Sequence, residues 1–476
     1  MTGAALAPRR GAALPALRLD AAGGRHIDMR AVAALALPLV LNSTVQAVLN
    51  LTDTWFIGRL STSATAAIAA VHWLALLAIF LIGGVAMGVQ TLAAQAFGAG
   101  RYRRATRTAW MGLWASMLSI PAFALTVAFG PAMIRGFGLD ADVEALAIEY
   151  WIPRMIGGPL AAALWAGNAF FNGIGRTRIT LAIGLIVLGS NAVLNEIFIF
   201  RFGWGMAGAA WATTAAELVG VALAIRMMLA LDRRQYAPHL TWRPDLRRLS
   251  ALVALGLPMA MTASADLGAA ALFQLMMVQY DVVDGAATQI VTIFTALAYM
   301  PGIGFALAGT TLVGQAIGAG DRAWAERLGN RITVVVACYM GGIGVVIALT
   351  GNWLVPLFVN AGDPRAAEVI ALCGSLLWLA AAYQFFDGVN LGSAFCLRGA
   401  GDARVPALVV LACGTLLFLP LTHYLTFAPG QGWFDAAPGR GLGAVGGWSA
   451  ILVYVFAIST ALWLRWKNGA WKRIRL

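Results

Sequence analysis

The sequence predicts an all-α polytopic membrane protein, with twelve transmembrane helices in two six-helix lobes related by an internal repeat. Three observations carry this. Of 476 residues, 60% are hydrophobic and only 11% charged, against about 25% charged in a soluble domain. Apolar stretches long enough to cross a hydrocarbon core of about 30 Å as a helix recur along the whole chain. Finally, the chain repeats itself at an offset of 220 residues.

Residues 1–30 are rich in Arg and Ala and lack a compact apolar region, so they read as a cytoplasmic tail and not a cleaved signal. Six spans follow, near 31–57, 64–97, 105–129, 146–171, 179–200 and 205–230, making a first lobe over 31–231. The one long polar stretch, "LDRRQYAPHLTWRPDLRR", contains a cytoplasmic linker at 232–247. Spans near 250–279, 285–317, 329–351, 367–396, 405–426 and 442–464 make a second lobe over 248–466, before a cytoplasmic tail at 467–476.

The net charge of +12 follows this topology. With the N-terminus inside, every Lys and Arg falls on inside segments except Arg59, Arg135, Arg154, Arg201, Arg365 and Arg440. That asymmetry is the positive-inside rule with both termini cytoplasmic, and it accounts for the charge without nucleic acid.

In the repeat, "LPLVLNS" at 37–43 answers "LPMAMTA" at 257–263, and "TLAAQAFGAGRYRRA" at 91–105 answers "TLVGQAIGAGDRAWA" at 311–325. "FFNGIGRTR" at 170–178 answers "CLRGAGDAR" at 396–404, the offset having drifted to 226. Six helices per half keep the same sidedness, so the repeat is parallel. Two further repeated segments match G-x-G-x-x-G, Gly203–Gly208 and Gly441–Gly446. A dinucleotide site needs a preceding strand and a βαβ unit, whereas here each motif opens a transmembrane helix. Crowded helix starts explain the glycines better. Cys338, Cys373, Cys396 and Cys413 lie in apolar runs without metal or redox spacing and read as small buried hydrophobes.

A charged side chain in mid-membrane costs at least about 2.5–3.5 kcal/mol and needs a reason. In the second lobe, Asp387 follows Tyr383 by one helical turn on the same face. Asp266 lies at comparable depth on an antiparallel span, so the two acids are placed to hold one proton or one cation between them. In the first lobe, Asp53, Asn191, Asn195 and Thr213 all fall in the outer halves of their spans. A carboxylate, two amides and a hydroxyl can coordinate a hard cation or bury a proton on Asp53. Glu217, one turn after Thr213, fits this cluster or a helix–helix hydrogen bond. Glu196 fits an outer vestibule, His72 beside Trp73 fits packing, and Asp281 and Asp284 fit an outer loop. Trp114, Trp165, Met261 and Met276 are suited either to core packing or to lining a cavity for flat hydrophobic cations.

At "TDTWFIGRLS", "TLAAQAFGAGR", "NAVLNEIFIFRFGWGMAGAAWAT" and "YQFFDGVNLGSAFCLRGAGD" the chain resembles the multidrug and toxic compound extrusion (MATE) transporters, over about residues 30–465. The resemblance implies two six-helix bundles around a central cleft and alternating access. It implies export of cationic or amphipathic small molecules in exchange for H⁺ or Na⁺. The family's first-lobe cation site falls on Asp53, Asn191, Asn195 and Thr213. Its second-lobe acidic site, typical of the NorM-like branch, falls on Asp266, Tyr383 and Asp387. Many relatives carry Asp at Asn195 and Pro at Glu196, and NorM-like members usually carry Glu at Asp266.

The expectation is therefore a monomeric antiporter of a bacterial-type inner membrane, without cofactor, and not an enzyme: no metal cluster or nucleophile–base pair stands in the spans. The alternative is a flippase of the wider superfamily moving lipid-linked saccharides, which calls for a more cationic cleft.

Overall fold

The computed structural model describes residues 14–359, 364–433 and 438–474. The start of the predicted N-terminal tail, residues 1–13, and residues 475–476 of the C-terminal tail lie outside them. From Met29 onward the regular structure among the described residues is all helical, and eleven of these helices are long and apolar enough to cross a membrane.

Asp28 caps α1 (Met29–Gly58), accepting from the Arg30 and Ala31 N–H groups. The second predicted span is two helices, α2 (Thr62–Gly83) and α3 (Gly88–Gly98), joined by a 3₁₀ turn at Gly84–Met87. The third is α4 (Tyr102–Leu118) and α5 (Ile120–Arg135), articulated at Ser119 ahead of Pro121. The fourth predicted span, 146–171, is not among the eleven. It is broken into α6 (Ala141–Ile156) and α7 (Gly158–Gly173). Pro159 withholds a helix hydrogen bond there, and at Gly157 the backbone lies so close to Thr214 that a Cβ would strike its hydroxyl. α8 (Thr177–Asn195), a π-helical segment at Glu196–Arg201 and α9 (Gly205–Leu229) complete the first half.

The linker is ordered against α4, with Trp110 Nε1 donating to Pro238 O at 3.0 Å and Trp114 Nε1 to Trp242 O at 2.8 Å. Trp114 thus fastens the linker. α10 (Leu246–Tyr280) and α11 (Val282–Gly318) meet at a single residue, Asp281, whose side chain caps α11. The predicted outer loop at Asp281 and Asp284 is therefore a corner. α12 (Arg322–Leu354), α13 (Ala366–Ala400), α14 (Arg404–Cys413), α15 (Leu419–Thr426) and α16 (Gly443–Lys467) follow, with a π-helical segment at Gly414–Phe418. Arg398 belongs to α13 and not to an inside loop.

Both G-x-G-x-x-G segments have one conformation. Gly203 and Gly205 before α9, and Gly441 and Gly443 before α16, all sit at positive φ. The third glycines, Gly208 and Gly446, lie against the backbone of Phe198 and Leu425. These are helix starts, as the crowding argument requires. Each is completed by a carboxylate from another helix: Glu149 accepts from Ala207 N–H at 3.1 Å, and Asp284 accepts from Ala444 N–H.

The apolar core is divided between the chain's halves. Two clusters are built from residues 49–236 with Leu252, and two others from 273–471 with Val32. Between the halves the repeated segments meet each other and make the same bonds twice. Gln95 Nε2 donates to Gly399 O at 3.0 Å, and Gln315 Nε2 to Gly173 O at 2.9 Å. Thr91 Oγ1 donates to Arg398 O at 2.9 Å, and Thr311 Oγ1 to Asn172 O at 3.0 Å. Gly98 lies against the Gln315 backbone and Gly318 against the Gln95 backbone, so neither tolerates a Cβ. Gln90 adds bonds to Leu307 O and Thr311 Oγ1, both at 3.0 Å. Among the described residues, the hydrogen bonds joining 29–231 to 248–474 gather at this one end.

A hairpin of β1 (Leu17–Leu19) and β2 (Arg25–Ile27) from the N-terminal tail docks at the same end. Arg25 pairs with Asp321 at 2.7 Å and lies over the Trp324 ring, while Trp324 Nε1 donates to Pro15 O at 2.9 Å.

Candidate functional site

Two polar clusters stand in the membrane-spanning region, one in each half. Asp53 lies near the end of α1, packed beside α8 and α9. Asn195 ends α8 one turn after Asn191, so both amides share a face. The π-helical segment at Glu196–Arg201 follows at once and re-aims the chain beyond them. Thr213 comes from α9.

The four predicted residues do meet. Asn195 Nδ2 donates to Asp53 Oδ1 at 2.7 Å and to Asn191 Oδ1 at 3.1 Å. Thr213 Oγ1 donates to Asp53 Oδ2 at 3.1 Å, and Asn191 Nδ2 reaches Thr213 Oγ1 at 3.3 Å. Asn191, Asn195 and Thr213 are buried and Asp53 is half-buried. Asn195 Oδ1 is enclosed with no hydrogen-bond partner. A carboxylate among neutral donors, next to a spare oxygen acceptor, is completed chemically by a proton or a hard cation.

Glu217, one turn beyond Thr213, does not point to Asp53. It holds Arg154 in a bidentate pair, with Arg154 Nη2 to Oε1 at 3.0 Å and Nη1 to Oε2 at 3.1 Å. Both side chains are buried, which corrects the expectation that Arg154 stands at an outer helix end. The break at Gly157 sets α6 against α9 and carries Arg154 into the bundle. His72 stays half-buried with its ring edge-on to Trp73, and Glu196 opens the π-helical segment without joining the cluster.

In the second half, Asp387 is buried on α13. Its Oδ2 accepts from Tyr383 Oη at 3.4 Å and its Oδ1 from Asn390 Nδ2 at 3.1 Å. Asp266, on α10, is exposed and makes no hydrogen bond or salt bridge among the described residues. Asp266 lies within electrostatic reach of Asp387 and of Arg398 without bonding to either. Tyr299, Tyr383 and Tyr454 stand within electrostatic reach of both carboxylates, and Trp448 meets Tyr383 edge-on. Of the other cavity candidates, Met276 is core, Trp165 stacks on Phe80, and Met261 is partly exposed.

Comparison with known proteins places these clusters in context. The MatE family model matches residues 38–197 and 258–423, most of the chain. The chain belongs to the MATE family. Its curated relatives place it in the NorM-like branch. It is 30% identical over 458 residues to the probable multidrug resistance protein NorM of Rhizobium meliloti strain 1021, covering 92% of each chain. It is 31% identical over 442 residues to the NorM of Bradyrhizobium diazoefficiens, covering 91% of this chain and 92% of the relative. The fold is that of solved MATE transporters. One, in complex with MaL6, superposes with a TM-score of 0.81 at 20% identity over 93% of this chain and 97% of the other. Another, an outward-facing multidrug resistance MATE transporter, has a TM-score of 0.80 at 20% identity, over 93% of this chain and 96% of the other.

In this MATE chain, sequence reasoning missed Asn390 and the Arg154–Glu217 pair. Asn390 was legible, being three residues after Asp387 and so on its face of α13. Arg154 carried a weaker signal: an arginine in "IPRMIGGPLAA" is unexplained by the positive-inside rule and asks for a buried carboxylate.

Proposed function

We propose that this MATE protein is a secondary antiporter, exporting cationic or amphipathic organic compounds in exchange for H⁺ or Na⁺ by alternating access. The observation that carries the proposal is the Asp53 cluster. The Asp53 carboxylate is held by neutral donors, and the buried Asn195 Oδ1 beside it has no partner, an arrangement suited to a small cation or proton. The kinship with NorM proteins named for multidrug resistance supports organic compounds as cargo. Asp266, exposed and within electrostatic reach of Asp387, Tyr299, Tyr383 and Tyr454, suits an organic cation through charge and ring faces.

The chain crosses the bacterial inner membrane twelve times, the α6–α7 pair making the fourth crossing, with both termini cytoplasmic. The twice-made bonds between Thr91, Gln95, Thr311 and Gln315 and the opposite halves support two repeated lobes, 31–231 and 248–466, joined by the linker at 232–247. With the hairpin end cytoplasmic, this arrangement is the outward-facing state. The protein acts as a monomer, since each cluster is complete within one chain. The inward-moving ion binds at Asp53 from outside, the cargo is held at Asp266 and Asp387, and the cargo is released outward; linkage requires that ion and cargo favour different populations. A flippase for lipid-linked saccharides would need cationic groups free to meet pyrophosphate, and the buried arginine is already paired with Glu217.

The test is reconstitution in liposomes with a pH gradient or a Na⁺ gradient imposed separately, following ethidium efflux. The gradient that drives efflux names the ion. Efflux under neither gradient would sink the antiport proposal.

A further inference from the structure

The Arg154–Glu217 pair lies beside the Asp53 cluster but takes no part in its hydrogen bonds, and a buried ion pair is not by itself stabilising. Replacing such a pair by apolar residues of similar volume is often neutral or favourable. Its position suggests another use. The Arg154 guanidinium is bonded to Glu217 on α9, with Tyr150 on its own α6, Asp53 on α1 and His72 on α2 within electrostatic reach. Glu217 alone is bonded to both of its terminal nitrogens. Glu217 and Thr213 occupy consecutive turns of α9, Thr213 holding Asp53 and Glu217 holding Arg154. One helix face thus keeps the acid and the guanidinium apart while both remain within electrostatic reach.

We infer that Arg154 is a positioning residue that sets the cation affinity of the first site, with Glu217 withholding it from Asp53 as a built-in competitor for the coupling ion. With Arg154 bound to Glu217, one buried carboxylate is neutralised and Asp53 presents a single negative charge to an arriving cation. Without Glu217, the guanidinium is left as a buried charge lacking its partner, and Asp53 is the other carboxylate within its electrostatic reach. Asp53 is then internally neutralised, and the ion must displace an arginine. Arg154 carries its guanidinium on a long flexible stem, which can turn toward a new partner.

The inference rests on the reading of Asp53 as the coupling-ion site, so its test carries a control for that reading. Full-length protein in liposomes is assayed for gradient-driven ethidium efflux while the coupling-ion concentration is varied, giving the half-saturating concentration separately from the maximal rate. Glu217→Gln is expected to raise the half-saturating concentration about tenfold or more. The double variant Arg154→Met with Glu217→Gln, which removes competitor and partner together, is expected to return it to within about threefold of the unmodified protein. A purely structural role would lower the amount or melting temperature of folded protein without moving ion affinity in this pattern. An unchanged half-saturating concentration in Glu217→Gln would overturn the inference. So would a double variant as impaired as Glu217→Gln although both fold, as judged by gel filtration and thermal melting. Asp53→Asn separates the two levels. Retained ion-driven efflux in that variant removes the site reading and the inference with it; lost efflux leaves the inference to stand or fall on Glu217.

Discussion

Gly98 and Gly318 offer the sharpest perturbation of the contact between the halves. A methyl on Gly98 would land on the carbonyl of Gln315, and one on Gly318 on the carbonyl of Gln95, which are backbone atoms and not yielding side chains. The clash exists only while the two halves are joined at this end. Overpacking of such a contact costs about 1–3 kcal/mol, which as a bias between two conformations is a shift of about 5- to 150-fold. The opposing term is the set of bonds from Gln90, Thr91, Gln95, Thr311 and Gln315, each worth about 0.5–1.5 kcal/mol net, and these are strained by the same displacement. Gly98→Ala and Gly318→Ala are therefore expected to move the population toward the state parted at this end. The repeat makes the two effects similar in size. The assay is double electron–electron resonance between spin labels at the exposed positions Gln235 and Arg327, with Cys338 replaced by Ala. A longer-distance population should grow in both variants. Gly374→Ala, where nothing lies within 4 Å, is the control. Unchanged distances in both variants, or the same change in the control, would refute the reasoning.

Other expectations follow from the same contacts. Asp387→Asn should abolish ethidium efflux with membrane expression retained; undiminished efflux would remove the second cluster from the transport cycle. Asn195→Ala deletes the bond to Asp53 and the spare acceptor. A hydrogen bond to a charged group is worth about 1.5–3 kcal/mol and favours the ionised carboxylate, so in the liposome assay the half-saturating concentration should fall by at least about tenfold where the ion is a proton, and should rise where it is Na⁺, which loses the Asn195 oxygen. Burial works to raise the Asp321 carboxyl, but the Trp324 N–H and then the Arg25 bond and charge outweigh it and hold it below its usual range. Its contribution to docking of the hairpin is therefore present above the unfolded value of about 3.9 and is lost as pH falls through the lower folded value. Hydrogen exchange at Leu17–Leu19 should show that loss, and Asp321→Asn should show it at neutral pH. Finally, a thiol at Ala22 should react with an impermeant maleimide only from the cytoplasmic side, and one at Ala141 only from outside; the reverse pattern would invert the proposed topology.

The sequence by itself determined the all-helical membrane architecture, because a chain in lipid must satisfy its backbone within each segment and apolar runs of spanning length leave few alternatives. It also determined the repeat, and with it the residues that later meet at Gln95, Gln315, Gly173 and Gly399. The first cluster was legible because Asp53, Asn191, Asn195 and Thr213 share a depth, and polar groups at one depth in a bundle seek one another. Depth is a one-dimensional coordinate, and rotation about each helix axis is not. For that reason only the tertiary structure decided that Glu217 faces Arg154 and not Asp53, and that Asp266 stands apart from Asp387 and exposed, whereas Tyr383 and Asn390, on one helix with Asp387, were legible from spacing alone. The break at Gly157 was hidden for a related reason. Beyond Pro159, which the sequence shows, it depends on how closely α9 brings Thr214 to the backbone, a distance that no reading of residues 141–173 alone contains.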